Sequence, residues 1–502
     1  MKFKLLQSKY LDMNAVFKPF ERELATFTEE DYSSLKPLVL EQNIPSLQQK
    51  IKEGSLSYEK LTLFYLYRIR KFESDTTLYL NSIIALNPDV LKEARKKDKA
   101  PKAGIDDYSL FGMPILLKDN INTKGMPTTA GAIALANNNN TEDAFIVQKL
   151  KANGALILGK VNLSEWAYFF CSGCPVGYSA VGGQTLNPYG RKIFETGGSS
   201  SGSGVSVAAN FAVAAVGTET SGSITSPSSQ NSVVGLKPTV GVLSRTGIVP
   251  ISSTLDTPGP MTKNVLDNAI FLKAMLGYDA NDAASKQKKI QPLQKRFDLS
   301  IKGKRLGVLK SLLSNSMYKA TVDQLKNAGA EIIEIAPPNL RLTGFISILN
   351  IDMKYDLPNY LKNNADTTVT LGDIDEIRKF NSQDSLLRMP YNQELFDGIL
   401  KDSTTLEDLT VIKKNLHKQA SNYLGALQSQ NLSSILSINN YHSGIAAAAN
   451  YPTLTVPMGY KNSGEPMSLT FIGSPFSAPE LLEVGAAFEQ LTKVRKSPEN
   501  YN

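Results

Sequence analysis

Apolar residues change their spacing near residue 100. Between 41 and 100 they recur at helical intervals, as in Leu47, Ile51, Leu61, Leu63, Phe64, Leu66 and Tyr67, which predicts a helical opening segment. Residues 1–40 are polar and mixed, and are read as an irregular or helical N-terminal arm. From about residue 110 the apolar residues come in short runs instead. Phe111-Gly-Met-Pro-Ile-Leu-Leu-Lys118 ends such a run in a charge, the pattern of a buried strand end. Thr141-Glu-Asp143 caps a predicted helix to about Asn153, closed by Gly154, and Ala155-Leu-Ile-Leu-Gly159 follows as a strand. Helix, turn and strand in that order mark an α/β fold.

Residues 172–262 are rich in Gly, Ser, Thr and Pro but keep apolar runs such as Val205–Val216 and Val233-Val-Gly-Leu236. A linker would lack those runs, so this is a folded, loop-rich part of a core. Further strands are predicted at 305–309, 331–335, 434–438 and 454–456. Helices are predicted around 322–328 and 479–491, with a mainly helical segment from about 340 to 430.

Composition narrows the function. The net charge is +7 on 502 residues, which is mild. The densest basic runs, Arg95 to Lys99 and Lys286 to Lys289, lack interleaved aromatics, so no nucleic-acid partner is expected. No apolar run approaches the roughly 20 residues a membrane helix needs, and no signal peptide is read at the N-terminus. A cytoplasmic location is expected; a secreted form trimmed of its signal would read the same. The two cysteines, Cys171 and Cys174, exclude a disulfide scaffold by count. Their C-x-x-C spacing is read as two small, half-buried residues, with a redox dithiol as the alternative. No metal site is expected, because the two histidines, His417 and His442, lie far from them in sequence.

The chemistry concentrates in two loops. Gly197-Gly-Ser-Ser-Ser-Gly-Ser-Gly204 leads into a small-residue helix, 205–211, and an apolar strand, 212–216. Gly217-Thr-Glu-Thr-Ser-Gly-Ser223-Ile follows directly. Glycines let backbone N–H groups approach a ligand, and the hydroxyls beside them are candidate nucleophiles. One helix and one strand between the loops can bring them to the same sheet edge. A phosphate-binding loop is disfavoured, because no lysine follows the glycines. Gly198-Ser-Ser-Ser-Gly202 matches G-x-S-x-G with Ser200 as nucleophile and His442 as a distant partner, but Arg191 to Thr196 is a poor preceding strand. Ser33-Ser-Leu-Lys36 and Ser285-Lys-Gln-Lys288 match S-x-x-K without the companion motifs that pattern needs.

Pro114-Ile-Leu-Leu-Lys-Asp-Asn-Ile121, the two Gly/Ser loops and Val234-Gly-Leu-Lys-Pro-Thr239 together resemble the amidase signature family. Asn162-Leu-Ser-Glu-Trp166 and Gly183-Gln-Thr-Leu-Asn-Pro188 resemble its bacterial peptide-amidase-like branch, and weaker likeness reaches Asn450 to Pro457. The resemblance implies a mixed, mostly parallel, twisted central sheet flanked by helices on both faces. It implies one domain over 41–502, with the signature core at 110–262. It also implies hydrolysis of linear carboxamides, including C-terminal peptide amides, with no cofactor; a monomer or homodimer is expected. Ser223 aligns with the acylated nucleophile, Ser199 with a bridging serine after a non-proline cis peptide, and Lys118 with the general base. Backbone N–H groups of Thr220, Ser221, Gly222 and Ser223 align with the oxyanion hole.

Physical chemistry agrees with those roles. An exposed lysine is protonated at pH 7, and burial lowers its pKa; Lys118 ends the apolar run Ile115-Leu-Leu117. Tyr168, Phe169, Phe170 and Tyr178 are candidates for an apolar acyl pocket, with core packing as the plainer alternative. Two departures from the family pattern bear on substrate choice. Ser221 stands where Gly or Ala is usual, and Thr225 where Arg is common. The glutaminase component of a tRNA-dependent amidotransferase shares the same resemblance, and a non-catalytic interaction module is the alternative from another class.

Overall fold

The structure is a computed structural model describing residues 3–101, 104–285 and 297–502; the basic run Lys286 to Lys289 lies outside the described residues. The first five strands are β1 (Ile83–Leu86), β2 (Pro114–Lys118), β3 (Leu156–Val161), β4 (Tyr178–Ser179) and β5 (Gly183–Gln184). They are followed by β6 (Ala214–Glu219), β7 (Val234–Lys237), β8 (Thr257–Thr262), β9 (Arg305–Leu309) and β10 (Glu331–Ile335). The last three are β11 (Ser434–Ile438), β12 (Thr453–Tyr460) and β13 (Pro466–Ile472). Among the described residues eleven of these form one sheet in the order β1-β3-β2-β6-β8-β7-β12-β13-β11-β9-β10, and β4 and β5 pair separately.

The sheet is mixed, as expected. Parallel pairing holds in two blocks, β3-β2-β6 and β11-β9-β10. The other six of the ten pairings are antiparallel, so parallel pairs predominate within those blocks and not across the whole sheet. A short turn joins β12 to β13, which admits only antiparallel pairing.

Helices cover both faces. Along β12, Thr453 meets Thr225 in the helix Thr225–Gln230. Its neighbour Leu454 points the other way, against Gly485 in the helix Ala478–Thr492. This alternation is the period-two geometry of a strand. The helical segment expected from 340 to 430 forms as Phe345–Asn363, Ile374–Ser382, Ser385–Arg388, Glu394–Lys401 and Leu406–Tyr423. It encloses a second apolar cluster beside the main core. The N-terminal arm is helical and docked, with Phe17, Phe20, Leu24, Tyr32 and Val39 buried in the main core.

Some local expectations shift. The helix expected from Thr141 runs Phe145–Ala152 behind Ala144, and Asp143 accepts from Lys124 N and Lys151 Nζ instead of capping. β1 lies inside the stretch read as helical, because a four-residue apolar run does not separate strand from helix by period. β8 reads Thr-Pro-Gly-Pro-Met-Thr, and two prolines argue against an interior strand. It nonetheless sits between β6 and β7.

Candidate active site

β3, β2 and β6 run parallel, so their carboxyl ends share one edge of the sheet, where open α/β sheets place ligands. Lys118 is the last residue of β2. Beyond β3 come Asn162 to Ser164, and Ser164 N–H donates to the Ser199 carbonyl at 3.0 Å. Beyond β6 comes the 220–223 loop. The helix Ser201–Ala208 starts at the same edge and packs on β2, β3, β6 and β8. Close approach of the first Gly/Ser loop to the helix Thr225–Gln230 needs Gly197: its φ is +63°, and a Cβ there would lie 2.7 Å from backbone atoms of Ser226 and Pro227. The loops are tied directly by Ser200 N–H, which donates to the Ser223 carbonyl at 3.1 Å.

The Gly198–Ser199 peptide bond is cis. Lys118 and Ser199 are fully buried, and Lys118 Nζ lies 2.8 Å from Ser199 Oγ. Burial pulls the Lys118 pKa down from 10.5 to about 7, against the opposing pull of the Asp256 and Glu219 carboxylates. Among the described residues no hydrogen bond joins Ser199 Oγ to Ser223 Oγ; hydrogen bonds of this kind often close only around substrate.

The 220–223 loop is organised by Glu219, a residue the sequence reading passed over. Its buried carboxylate accepts Gly222 N–H at 2.7 Å, Ile224 N–H at 2.7 Å and Thr225 N–H at 2.9 Å. The Gly222 N–H, one of the four expected oxyanion donors, is therefore committed to Glu219. The signal was present in the sequence: a carboxylate at the end of an apolar strand, followed by a Gly/Ser loop, needs donors if buried. Ser221 is outside the positive-φ residues, so its side chain brings no left-handed strain. That conformation belongs to Gly222, with φ +84° and Ser443 Oγ 3.0 Å from where a Cβ would stand. Thr225, in the usual place of Arg, is buried and donates its hydroxyl to Glu219 at 3.0 Å.

The aromatic pocket residues disperse. Phe169 and Phe170 are buried in the second cluster, with Phe170 edge-on to Phe396 at 5.1 Å. Tyr178 packs on Tyr391 at 4.8 Å. Tyr168 remains partly exposed and donates its hydroxyl to the Cys174 carbonyl. Their run follows a left-handed turn at Trp166 and Ala167, which sequence periodicity cannot foresee. A small cavity of about 10 Å³ is lined instead by Ala167, Asn120, Thr218, Thr220 and Val249. It shares Arg245, Ile248 and Asp256 with a larger cavity of about 570 Å³; neither is lined by Ser199 or Ser223. Cys171 and Cys174 are joined by a disulfide, so they are not the free half-buried thiols expected. The G-x-S-x-G alternative loses its base: Ser200 Oγ donates to the Thr218 carbonyl, and His442 pairs with Ser437.

Fold and site together define a mixed α/β sheet protein with a buried lysine–serine pair at the carboxyl edge of its parallel strands. The chain belongs to the amidase family, whose pattern it matches over residues 60–403. It is similar to an amidase family protein from Bacillus anthracis, with 36% identity and a TM-score of 0.92, covering 98% of this chain and 100% of that one. It is also similar to the peptide amidase of Stenotrophomonas maltophilia, with 35% identity and a TM-score of 0.85, covering 92% of this chain and 99% of that one. A glutamyl-tRNA(Gln) amidotransferase subunit from Pediococcus pentosaceus is 30% identical over 494 residues, 91% of this chain and 98% of that protein.

Proposed function

We propose that this amidase cleaves linear carboxamides, C-terminal peptide amides among them, through a Lys118–Ser199–Ser223 relay. The observation that carries the reading is the buried Lys118 Nζ held 2.8 Å from Ser199 Oγ. A pKa near 7 leaves much of this lysine neutral at physiological pH, as a general base must be.

In the first step Lys118 takes the Ser199 proton, Ser199 takes the Ser223 proton, and Ser223 Oγ bonds to the amide carbon. The carbonyl π electrons move to oxygen, where N–H groups of Thr220, Ser221 and Ser223 receive the charge. One such donor is worth roughly 2.7–4 kcal/mol of barrier. As the C–N bond breaks, Ser199 passes its proton to the leaving nitrogen and recovers one from Lys118. Water then attacks the ester, reversing the relay, and frees the acid.

Likeness to the peptide amidase supports peptide amides as substrates. Likeness to the amidotransferase protein supports a second reading, glutamine hydrolysis that depends on a partner protein. A screen of peptide amides, simple amides and glutamine, run beside Ser223→Ala and with fluorophosphonate labelling, separates them. Activity toward peptide amides that Ser223→Ala abolishes fits the first reading. Glutamine hydrolysis seen only with a co-purifying partner fits the second. If the protein cleaves none of these and takes no label at Ser223, both readings fail and the non-catalytic alternative stands.

A further inference from the structure

Among the described residues Lys118 Nζ donates to three oxygens: Ser199 Oγ at 2.8 Å, Thr218 Oγ1 at 2.8 Å and the Thr218 carbonyl at 3.1 Å. The two protonation states ask different things of them. A neutral amine offers two N–H donors and one lone pair, whereas an ammonium offers three donors and no lone pair. The carbonyl only accepts, so it takes an N–H in either state. Once Lys118 has gained the relay proton, all three neighbours must accept. Two of those three acceptors belong to Thr218.

Both Thr218 acceptors are held from outside. Ser200 Oγ donates to the Thr218 carbonyl at 3.1 Å and accepts the Thr218 N–H at 3.2 Å. Asn120 Nδ2 donates to Thr218 Oγ1 at 3.0 Å and reaches the Val249 carbonyl at 3.4 Å. A threonine carries a hydroxyl and a methyl on one carbon, so its rotamer decides which of them faces the lysine. Asn120 holds the hydroxyl there. Asn120 is itself buried, and its Oδ1 has no partner among the described residues. An unpaired buried amide oxygen opposes stability; what the side chain supplies in return is its grip on Thr218.

We propose that Asn120 and Thr218 are positioning residues for Lys118: Thr218 completes the three-acceptor cradle of the ammonium, and Asn120 fixes the rotamer that does so. This rests on Lys118 acting as the relay base. The charged groups facing Lys118 are Glu219 at the end of β6 and Asp256 from the loop before β8. Asp119, the next residue along the chain, is paired with Lys160 at 3.4 Å. None of these is altered in the test.

The test is the pH profile of kcat/KM for wild type, Thr218→Val, Thr218→Ser and Asn120→Leu, with Ser223→Ala alongside. Valine keeps the shape and removes the hydroxyl. Losing a hydrogen bond to a charged group lowers the ammonium's stability, so the acid limb of Thr218→Val moves down by about one pH unit or more. Its plateau kcat falls ~10–100-fold while KM stays within about threefold, the pattern of an interaction made along the reaction path. Thr218→Ser restores both, and Asn120→Leu moves the limb in the same direction by less. Wild-type limbs in Thr218→Val and Asn120→Leu, with Ser223→Ala inactive, overturn the proposal and leave the relay standing. An active Ser223→Ala, or a wild-type profile with no limb near pH 7, overturns the relay itself. If Asn120→Leu does not fold, the Thr218→Val and Thr218→Ser pair decides.

Discussion

Glu219 Oε1 accepts the backbone N–H of Gly222 at 2.7 Å, one residue before Ser223. Its second oxygen takes the N–H groups of Ile224 and Thr225, on the other side of that serine. One buried carboxylate thus grips the chain before and after Ser223 and sets where its hydroxyl stands. Replacing Glu219 by Gln turns one accepting oxygen into a donor facing another donor. Glu219→Gln is expected to lose about 3 kcal/mol of stability, the range for hydrogen bonds to a charged group, and most of its kcat. Urea unfolding and steady-state kinetics on one preparation check both; full activity in a destabilised variant would separate the grip from catalysis.

If Lys118 is the base of the proposed relay, it sets the acid limb of activity. Its folded pKa is about 7 and the base must be neutral, so kcat/KM should rise through pH 7 and level off above about pH 8. Stability has a sign of its own. The folded pKa lies below the unfolded value, so the unfolded chain binds more protons between about pH 7 and 10.5. The cost of burying this lysine is then greatest below pH 7 and fades as pH rises to 10.5. Lys118→Met is expected to be inactive but more stable than wild type at pH 6, with the gap narrowing by pH 9. Melting curves at the two pH values test this, and a destabilised Lys118→Met at pH 6 counts against it.

Thr225 fills the place where relatives of this family commonly carry Arg, and it donates its hydroxyl to Glu219. Thr225→Val keeps the shape and removes that donor, and the contact with Thr453 at 3.3 Å. The expected loss is about 1–2 kcal/mol, with kcat within about threefold because three backbone N–H groups still hold Glu219. A larger fall in kcat would assign Thr225 a direct part in placing Ser223.

The Cys171–Cys174 disulfide ends two residues before Val176, which leans on the cis-Gly198–Ser199 segment. Gly177 N–H donates to Ser164 Oγ at 2.8 Å, and a Cβ at Gly198 would lie 2.6 Å from both Ser164 Oγ and Val176 Cγ1. So short a loop gains at most about 2 kcal/mol from cross-linking on the chain-entropy account. The double variant Cys171→Ser, Cys174→Ser should stay folded and lose kcat more than stability. Native protein should show no titratable thiol, and two after denaturation and reduction; free thiols in the native state would count against any role for the cross-link.

Much of the architecture was readable from spacing. The strands at 305–309, 331–335 and 434–438 and the helices of 340–430 form where the apolar pattern puts them, because local period and burial agree there. β8 was hidden by its prolines, and the left-handed turn at Trp166 and Ala167 by a backbone conformation that period does not encode. The same turn, with the helices behind it, sends Phe169 and Phe170 into a core, away from the cavity lined by Asn120, Ala167 and Thr218.

The inventory of the site is written in the chain: a lysine closing an apolar strand, two Gly/Ser loops one helix and one strand apart, and too few well-placed histidines for the usual triad. Those are covalent facts, and apolar runs with glycines carry them into local structure. Who holds whom was settled only by tertiary packing. Glu219 takes the Gly222 N–H, Lys118 donates to Thr218, and Asn120 donates to the same Thr218 hydroxyl. Each is a contact between groups brought together by burial, and a buried donor or acceptor takes its partner from whatever the fold places within about 3 Å.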